Sequence, residues 1–208
     1  MKSLSTQAGR LTAAVCSRLS RGDIFFSETF EDVIPDRMIM RAALSRLARE
    51  GTYVIRLGWG IYCHPRQDPV TGAYIRPSVE DVVDALAARW RVRLAPCGAR
   101  AAFLSGLTPV NQYPYTYLTD GSDQVFRLWD GITVTFVRQQ SLRFLDFRSE
   151  TLRNLSEGLR HIGEGNVTEA QWDVAGSVIY GVSRAEYAHD ILLCPAWQRD
   201  AFRSIRPV

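Results

Sequence analysis

The stretch PDRMIMRAALSRLAREGTYVIRLGWGIYCHP, residues 35 to 65, decides how the N-terminal part of this chain is expected to fold. Asp36 supplies an N-cap oxygen, and Gly51 is well placed for a left-handed C-terminal cap. Between these residues, apolar side chains recur with a period of about 3.6 residues, the period of an amphipathic helix. They are Met40, Ala43, Leu44, Leu47 and Ala48. The pattern predicts a capped helix that packs this face inward.

The outward face of the same helix is rich in arginine. It carries Arg37, Met38, Arg41, Ser45 and Arg49, with Arg46 beside it. Acidic residues occur only at the two ends, as Asp36 and Glu50, whereas a solvated helix face usually mixes the two signs. The face is therefore a candidate surface for binding nucleic acid, and the alternative is an ordinary solvated helix.

A hairpin is predicted directly after this helix. Residues 52 to 57 are mostly β-branched, aromatic or apolar, and Trp59 between two glycines separates them from a second strand at residues 61 to 63. Upstream, residues 11 to 19 suit a first helix and residues 24 to 26 a short strand. Ser27 is placed to cap a second helix that runs through Phe30 and Val33. The order helix, strand, helix, turn, helix, hairpin is that of a winged helix-turn-helix, a fold that binds DNA.

The distribution of charge favours the same interpretation. The net charge is only +3, but residues 1 to 66 hold 10 basic and 6 acidic residues, a net +4, whereas residues 67 to 208 hold 15 and 16, a net −1. Lys2 is the one lysine among the 25 basic residues, so nearly all the positive charge is guanidinium, which can bind phosphate or guanine through two hydrogen bonds. A bias in coding composition would explain the excess of arginine equally well.

The rest of the chain predicts a second, mixed domain. Two prolines and a glycine mark a connector, so the expected boundaries are 1–66, 67–77 and 78–208. Within the last part, Ser78 begins a helix, and strands at 115–119, 124–128 and 132–138 are expected to form an antiparallel meander through Asp-Gly turns. Helices follow, two of them with capping boxes at Thr168 and Ser183. The predicted class is α+β, a winged helix-turn-helix followed by a mixed domain with a small antiparallel sheet and C-terminal helices.

No pattern indicates catalysis or a metal site. The histidines His64, His161 and His189 lie far apart, the four cysteines form no CxxC pair, and no glycine-rich phosphate loop occurs. Neither a secretory signal nor an apolar run of about 18 residues is present. We therefore expect a cytoplasmic protein with reduced thiols that is not an enzyme, needs no cofactor or metal, and does not span a membrane.

The residues themselves suggest how DNA would be bound. The N-terminal half of the arginine-rich helix would enter the major groove, where Arg37, Arg41 and Ser45 reach base edges or phosphates. Four further residues are better placed for the DNA backbone, namely Arg46, Arg49, Arg56 and Trp59. A single module makes few contacts, so binding as a homodimer or in tandem on two half-sites is also predicted.

Five segments together carry a resemblance to a known family. They are RGDIFFSETF at 21–30, RAALSRLAREGTYVIRLGWGIYCHP at 41–65, LAPCGARAAFLSGLTP at 94–109, YTYLTDG at 115–121 and LRHIGEGNV at 159–167. On these segments the chain resembles the AbiEi type of antitoxin from bacterial abortive-infection (type IV) toxin-antitoxin systems. The resemblance covers most of the chain.

The resemblance implies a protein with two roles. Its winged helix would bind inverted repeats upstream of its own operon as an autorepressor, through Arg37, Arg41, Ser45, Arg46 and Arg56. Its C-terminal domain would counteract a nucleotidyltransferase-like toxin encoded next to it, and direct contact with that toxin is not required. An alternative is a protein-interaction module whose winged domain docks a protein partner and has no role in DNA binding.

Overall fold

The computed structural model describes residues 2–110 and 115–207, which form two compact units. The first unit comprises Met1–Arg89 and Arg127–Asp130, and the second comprises Trp90–Phe126 and Gly131–Val208. Residues 78 to 89 thus lie with the first unit, although the sequence pattern assigned them to the second domain. One physical reason is Arg89, whose guanidinium lies 4.4 Å from the ring centroid of Phe26 and pairs with the Glu28 carboxylate.

The first unit combines three helices with two small antiparallel sheets. Its elements are α1 (Lys2–Arg18), β1 (Ile24–Phe26), a 3-10 turn (Ser27–Phe30), α2 (Arg37–Glu50), β2 (Ile55–Gly58), β3 (Ile61–Cys63), β4 (Arg66–Gln67), β5 (Tyr74–Ile75) and α3 (Val79–Trp90). The strand order of the larger sheet is β1-β3-β2, and β4 pairs with β5. The hairpin that follows α2 is therefore present, although its first strand begins at Ile55, three residues later than predicted.

The core of the first unit lies where α1 packs against α2. The predicted inward face of α2 is confirmed, because Met40, Ala43, Leu44 and Leu47 are buried and Ala48 is partly buried. They meet Leu11 and Val15 of α1 and the stacked rings of Phe25 and Tyr62. Complete burial of one such side chain contributes about 1.5 to 3 kcal/mol. This face therefore fixes which side of α2 points outward.

The prediction of a full second helix before α2 is wrong. Residues 27 to 30 form a single 3-10 turn, and the Ser27 side chain does not cap it. The Thr29 hydroxyl instead accepts a hydrogen bond from the Phe26 N–H at 3.2 Å, while Ser27 donates to the Glu28 carboxylate. The polypeptide therefore reaches α2 after one short turn.

The second unit holds a four-stranded sheet and five helices within the residues that are described. Its elements are β6 (Leu94–Pro96), α4 (Gly98–Leu104), β7 (Tyr115–Thr119), β8 (Gln124–Arg127), β9 (Thr133–Arg138), α5 (Glu150–Ile162), α6 (Glu169–Gly181), α7 (Arg184–Asp190) and α8 (Ala196–Ile205). The capping boxes predicted at Thr168 and Ser183 are both present. The last three helices pack with α5 around Leu155, Tyr187 and Phe202. The α+β class and the C-terminal helices are thus confirmed.

The antiparallel meander predicted for this unit is wrong. The strand order is β6-β7-β9-β8, and β9 lies between β7 and β8. The pair β7 and β9 is parallel, in register from Tyr115 with Val134 to Thr119 with Arg138. The Asp120-Gly121 pair does not close a hairpin between β7 and β8, because β9 separates these strands. The Asp120 carboxylate instead accepts hydrogen bonds from the backbone N–H and the guanidinium of Arg93. The sheet is consequently mixed.

None of the helices among the described residues has the length and apolar character needed to cross a lipid bilayer. The longest, α1, has 17 residues and includes Arg10 in its interior.

Candidate nucleic-acid interface

The conformation of α2 is determined at both ends by the residues that the sequence indicated. One Asp36 carboxylate oxygen accepts hydrogen bonds from the backbone N–H groups of Met38 and Ile39 at 2.8 and 3.0 Å. At the other end, Gly51 has φ +73° and donates its N–H to the Leu47 carbonyl. A side chain at position 51 would be strained by this left-handed geometry. The helix is therefore well defined from its first turn to its last.

All seven predicted DNA-binding residues lie in the first unit and are exposed. Five are on α2, and the other two, Arg56 and Trp59, are on the β2-β3 hairpin. The Arg37 side chain is 83% exposed, with its Nε 3.8 Å from a Glu31 carboxylate oxygen. Trp59, at the tip of the hairpin, is 79% exposed. Most of the hydrogen-bonding groups of these side chains are therefore accessible to another molecule.

The structure brings Arg41 together with the hairpin. Its guanidinium carbon lies 5.9 Å from the ring centroid of Trp59, within the range of a cation–π contact. Burial raises the pKa of the Tyr62 hydroxyl, and the nearby positive charges of Arg56 and Arg41 act in the opposite direction. Arg41, Arg56 and Trp59 therefore form one cluster, which we call the hairpin-side cluster.

The more C-terminal residues of α2 are arranged differently. Arg46 forms an ion pair with Glu50 one turn later, at 3.0 Å, and Arg49 donates to the Ser45 carbonyl of its own helix at 3.4 Å. Each of these contacts is local to α2. These residues therefore extend the positive surface along the helix, and we do not count them in the hairpin-side cluster.

A cleft of about 530 Å³ lies beside the N-terminal turn of α2. Its lining includes Arg37, Arg41 and Trp59, together with Glu28 and Glu31 and with Arg89 from α3. The sequence did not indicate that Glu28, Glu31 or Arg89 would adjoin the arginines, and Arg89 comes from a helix that was assigned to another domain. The acidic pair gives the cleft mixed charge, whereas α2 itself carries four arginines and a single acidic residue, Glu50.

Glycines shape the hairpin. Gly60 has φ +74°, which allows the chain to reverse after Trp59. A side chain at Gly58 would meet the carbonyl oxygen of Arg127 at 2.8 Å, and Gly58 also forms a β-bridge with Leu128. The segment Arg127–Asp130 therefore covers the base of the hairpin, while its tip remains exposed.

Other reactive groups in the described residues do not assemble into a site. No cluster of three metal-ligating side chains occurs within residues 2–110 and 115–207. Burial raises the pKa of the Cys63 thiol to about 11 and the pKa values of Cys97 and Cys194 to about 12. His64 is buried, with Nδ1 donating to the Tyr53 carbonyl at 2.8 Å. Within the described chain, the exposed arginines on the outer face of α2 and Trp59 at the hairpin tip are thus the best candidates for binding a ligand.

Comparison with known proteins places the chain in a family. A family model described as a family of unknown function, DUF6088, matches residues 12–183. The chain belongs to this family. No curated protein and no solved structure matches it. The region matched by the DUF6088 model runs from within α1 to the residue before α7, so it includes α2 and the hairpin as well as most of the second unit.

Proposed function

We propose that this protein is a DNA-binding transcription regulator that uses its first unit as a winged helix-turn-helix. In this proposal α2 is the recognition helix and the β2-β3 hairpin is the wing. The observation that carries it is the outer face of α2, where four arginines accompany a single acidic residue, Glu50, on a well-capped helix. Arg56 and Trp59 extend this surface into the hairpin.

In this proposal the arginines make two kinds of contact with DNA, one to base edges and one to phosphates. Arg41 lies toward the N-terminal half of α2 and is held against Trp59, so it is suited to the edge of a base in the major groove. Arg46, Arg49 and Arg56 would contact phosphates, which position the protein without reading sequence. A module of this size gains affinity by binding two half-sites, and we propose a homodimer on inverted repeats upstream of its own operon.

The proposal includes a second role, as the antitoxin of a nucleotidyltransferase-like toxin encoded in the same operon. Its support is the resemblance of five sequence segments to AbiEi antitoxins, three of which lie wholly in the second unit. We assign no residue of the second unit to this role. The protein would act in the cytoplasm and without catalysis.

DNA binding is tested by fluorescence anisotropy with duplexes from the protein's own upstream region and with scrambled duplexes of the same composition. We expect sequence-specific binding that weakens steeply with salt, because phosphate contacts release counterions. Arg41→Ala should lose about 1 to 3 kcal/mol of discrimination at one base pair. Arg203→Ala, which removes an exposed arginine of α8 in the second unit, is the matched control.

Equal affinity for specific and scrambled duplexes at physiological salt would contradict the proposal. Full biological activity after the charge reversals Arg41→Glu and Arg46→Glu would favour the alternative, a protein-interaction module with no role in DNA binding. The antitoxin role is tested separately, by expressing the neighbouring reading frame with and without this protein. Growth arrest that this protein fails to relieve would remove that role and leave DNA binding standing.

A further inference from the structure

A large apolar side chain lies at the centre of the positive surface. Met38, in the first turn of α2, is 81% exposed. The backbone N–H of Met38 is fixed by the Asp36 cap, so the base of this side chain is held in place although its end is free. Among arginines, such a residue adds no charge and buries little of its area within the described protein. We therefore expect Met38 to contact a bound molecule.

Helix geometry places Met38 at the middle of the outer face. At about 100° per residue, two residues nine positions apart point to opposite sides of a helix. Met38 therefore lies opposite Leu47, which is 3% exposed. Ala42, four residues after Met38, is the next residue along the same face and is also exposed. Met38 and Ala42 therefore form a short apolar strip on the side of α2 that points away from the core.

Cations flank this strip on both sides. By the same geometry Arg41 lies to one side, over Trp59, and Arg46 lies to the other, paired with Glu50. An apolar strip between guanidinium groups matches the major groove, where phosphates border the base edges and the thymine C5-methyl is the apolar group on those edges. A buried protein interface would instead place the arginines where their charges are desolvated, at a cost.

We propose that Met38, supported by Ala42, recognises thymine methyl groups in the major groove and so determines part of the sequence specificity. This inference rests on the proposed DNA-binding function and deepens it. The methionine thioether chain is unbranched and adaptable, so it can follow a methyl group without a fixed hydrogen-bond geometry. The preferred DNA sequence should then contain thymine at the position facing the first turn of α2.

The test begins with a duplex selected from a random pool by the wild-type protein. Each thymine in it is then replaced in turn by deoxyuridine, which lacks only the C5-methyl group. At one position we expect about fourfold weaker binding by the wild type, the equivalent of one buried methyl group. Met38→Ala should bind the thymine duplex more weakly, and it should show no further loss on the deoxyuridine duplex.

Two further variants make the test specific. Met38→Leu keeps an apolar side chain and should keep the penalty for deoxyuridine. Val70→Ala removes apolar surface from a residue of the first unit that is 91% exposed and lies outside α2, and it should behave as the wild type.

A penalty that is the same in the wild type and in Met38→Ala would overturn the inference. So would specific binding by the wild type with no penalty at any thymine, and this result would leave the proposed function intact. Failure to select any sequence would overturn both.

Discussion

The outer face of α2 and the cluster around Asp190 in the second unit both contain several polar groups, but these groups are exposed on α2, whereas the carboxylate at the centre of the Asp190 cluster is buried. Asp190 is fully buried, and its carboxylate accepts hydrogen bonds from the backbone N–H groups of Arg148 and Ser149, the shorter distances being 2.9 and 2.8 Å. His189 Nδ1 lies 2.8 Å from it as well. On α2, by contrast, Arg37 is 83% exposed and 3.8 Å from its acidic neighbour.

This difference indicates what each set of polar groups does. A buried carboxylate with several short hydrogen bonds stabilises the fold, because removal of it leaves donors without partners. Exposed arginines with long or local contacts stabilise little, since surface ion pairs contribute about 0 to 1 kcal/mol. The Asp190 carboxylate is thus satisfied inside the second unit, whereas the arginines on the outer face of α2 remain accessible.

The largest loss of stability is expected from Asp190→Ala. It leaves the N–H groups of Arg148 and Ser149 without their acceptor, at about 3 to 4 kcal/mol in total for one part-buried and one buried donor. Chemical denaturation measures the free energy of unfolding. Asp200→Ala, an exposed aspartate in α8, is the control and should change it by less than about 0.5 kcal/mol. Equal effects of the two variants would show that the Asp190 cluster is not structural.

A smaller loss is expected from Gly158→Ala, at the contact of α5 with α4. A Cβ there would lie 2.8 Å from the Ala102 Cα, so the two helices must separate, at about 1 to 3 kcal/mol. Gly176→Ala in α6 is the matched control, because its Cβ would meet only Ile205 at 3.7 Å. This control should stabilise the protein by about 0.5 to 1 kcal/mol through helix propensity. Stabilisation by both variants would contradict the close packing of α4 on α5.

In this molecule, features that depend on residues close together in the sequence could be predicted, and features that depend on residues far apart in the sequence could not. Asp36 and Gly51 act on their own helix, so the ends of α2 were predictable. The position of β9 was not, because five pairs with β7 in parallel register depend on tertiary packing and not on the Asp120-Gly121 turn. The contact of Arg89 with Phe26 was equally out of reach, since it joins residues 63 positions apart in the sequence. The exposed arginines of α2 were found because their helical spacing is local.

The cap of α2 should contribute about 1 kcal/mol. Asp36→Ala removes the acceptor for the N–H groups of Met38 and Ile39 and should lower the free energy of unfolding by that amount. Asp36→Asn keeps an acceptor oxygen and should lose much less, because asparagine is a good N-cap. If both variants lost the same free energy, the charge of Asp36 and not its hydrogen bonds would matter at this end of the helix.

The second unit should also show a dependence on pH through Glu157. Its side chain is 12% exposed, and burial raises its pKa, which Arg160 and Arg153 offset only in part. Because the folded pKa is the higher one, folding favours the protonated form, and stability falls as pH rises from the ordinary glutamate pKa through the raised value. Glu157→Gln should therefore be more stable than the wild type at neutral pH and equal to it below about pH 4. Thermal unfolding across this range measures the difference, with the exposed Glu164→Gln as control.

The smallest effect on stability per substituted residue is expected at the exposed arginines of α2, where we expect the largest effect on binding. Arg37, Arg41 and Arg49 make long, aromatic or local contacts, so the triple change to alanine should alter the free energy of unfolding by no more than about 0.5 kcal/mol per residue. Each phosphate contact removed should lower the slope of log affinity against log salt by about 1. Denaturation and salt titration on the same variant separate the two roles. A large loss of stability would mean that these arginines hold the first unit together as Asp190 holds the second, and the contrast between the two regions would no longer indicate a binding surface.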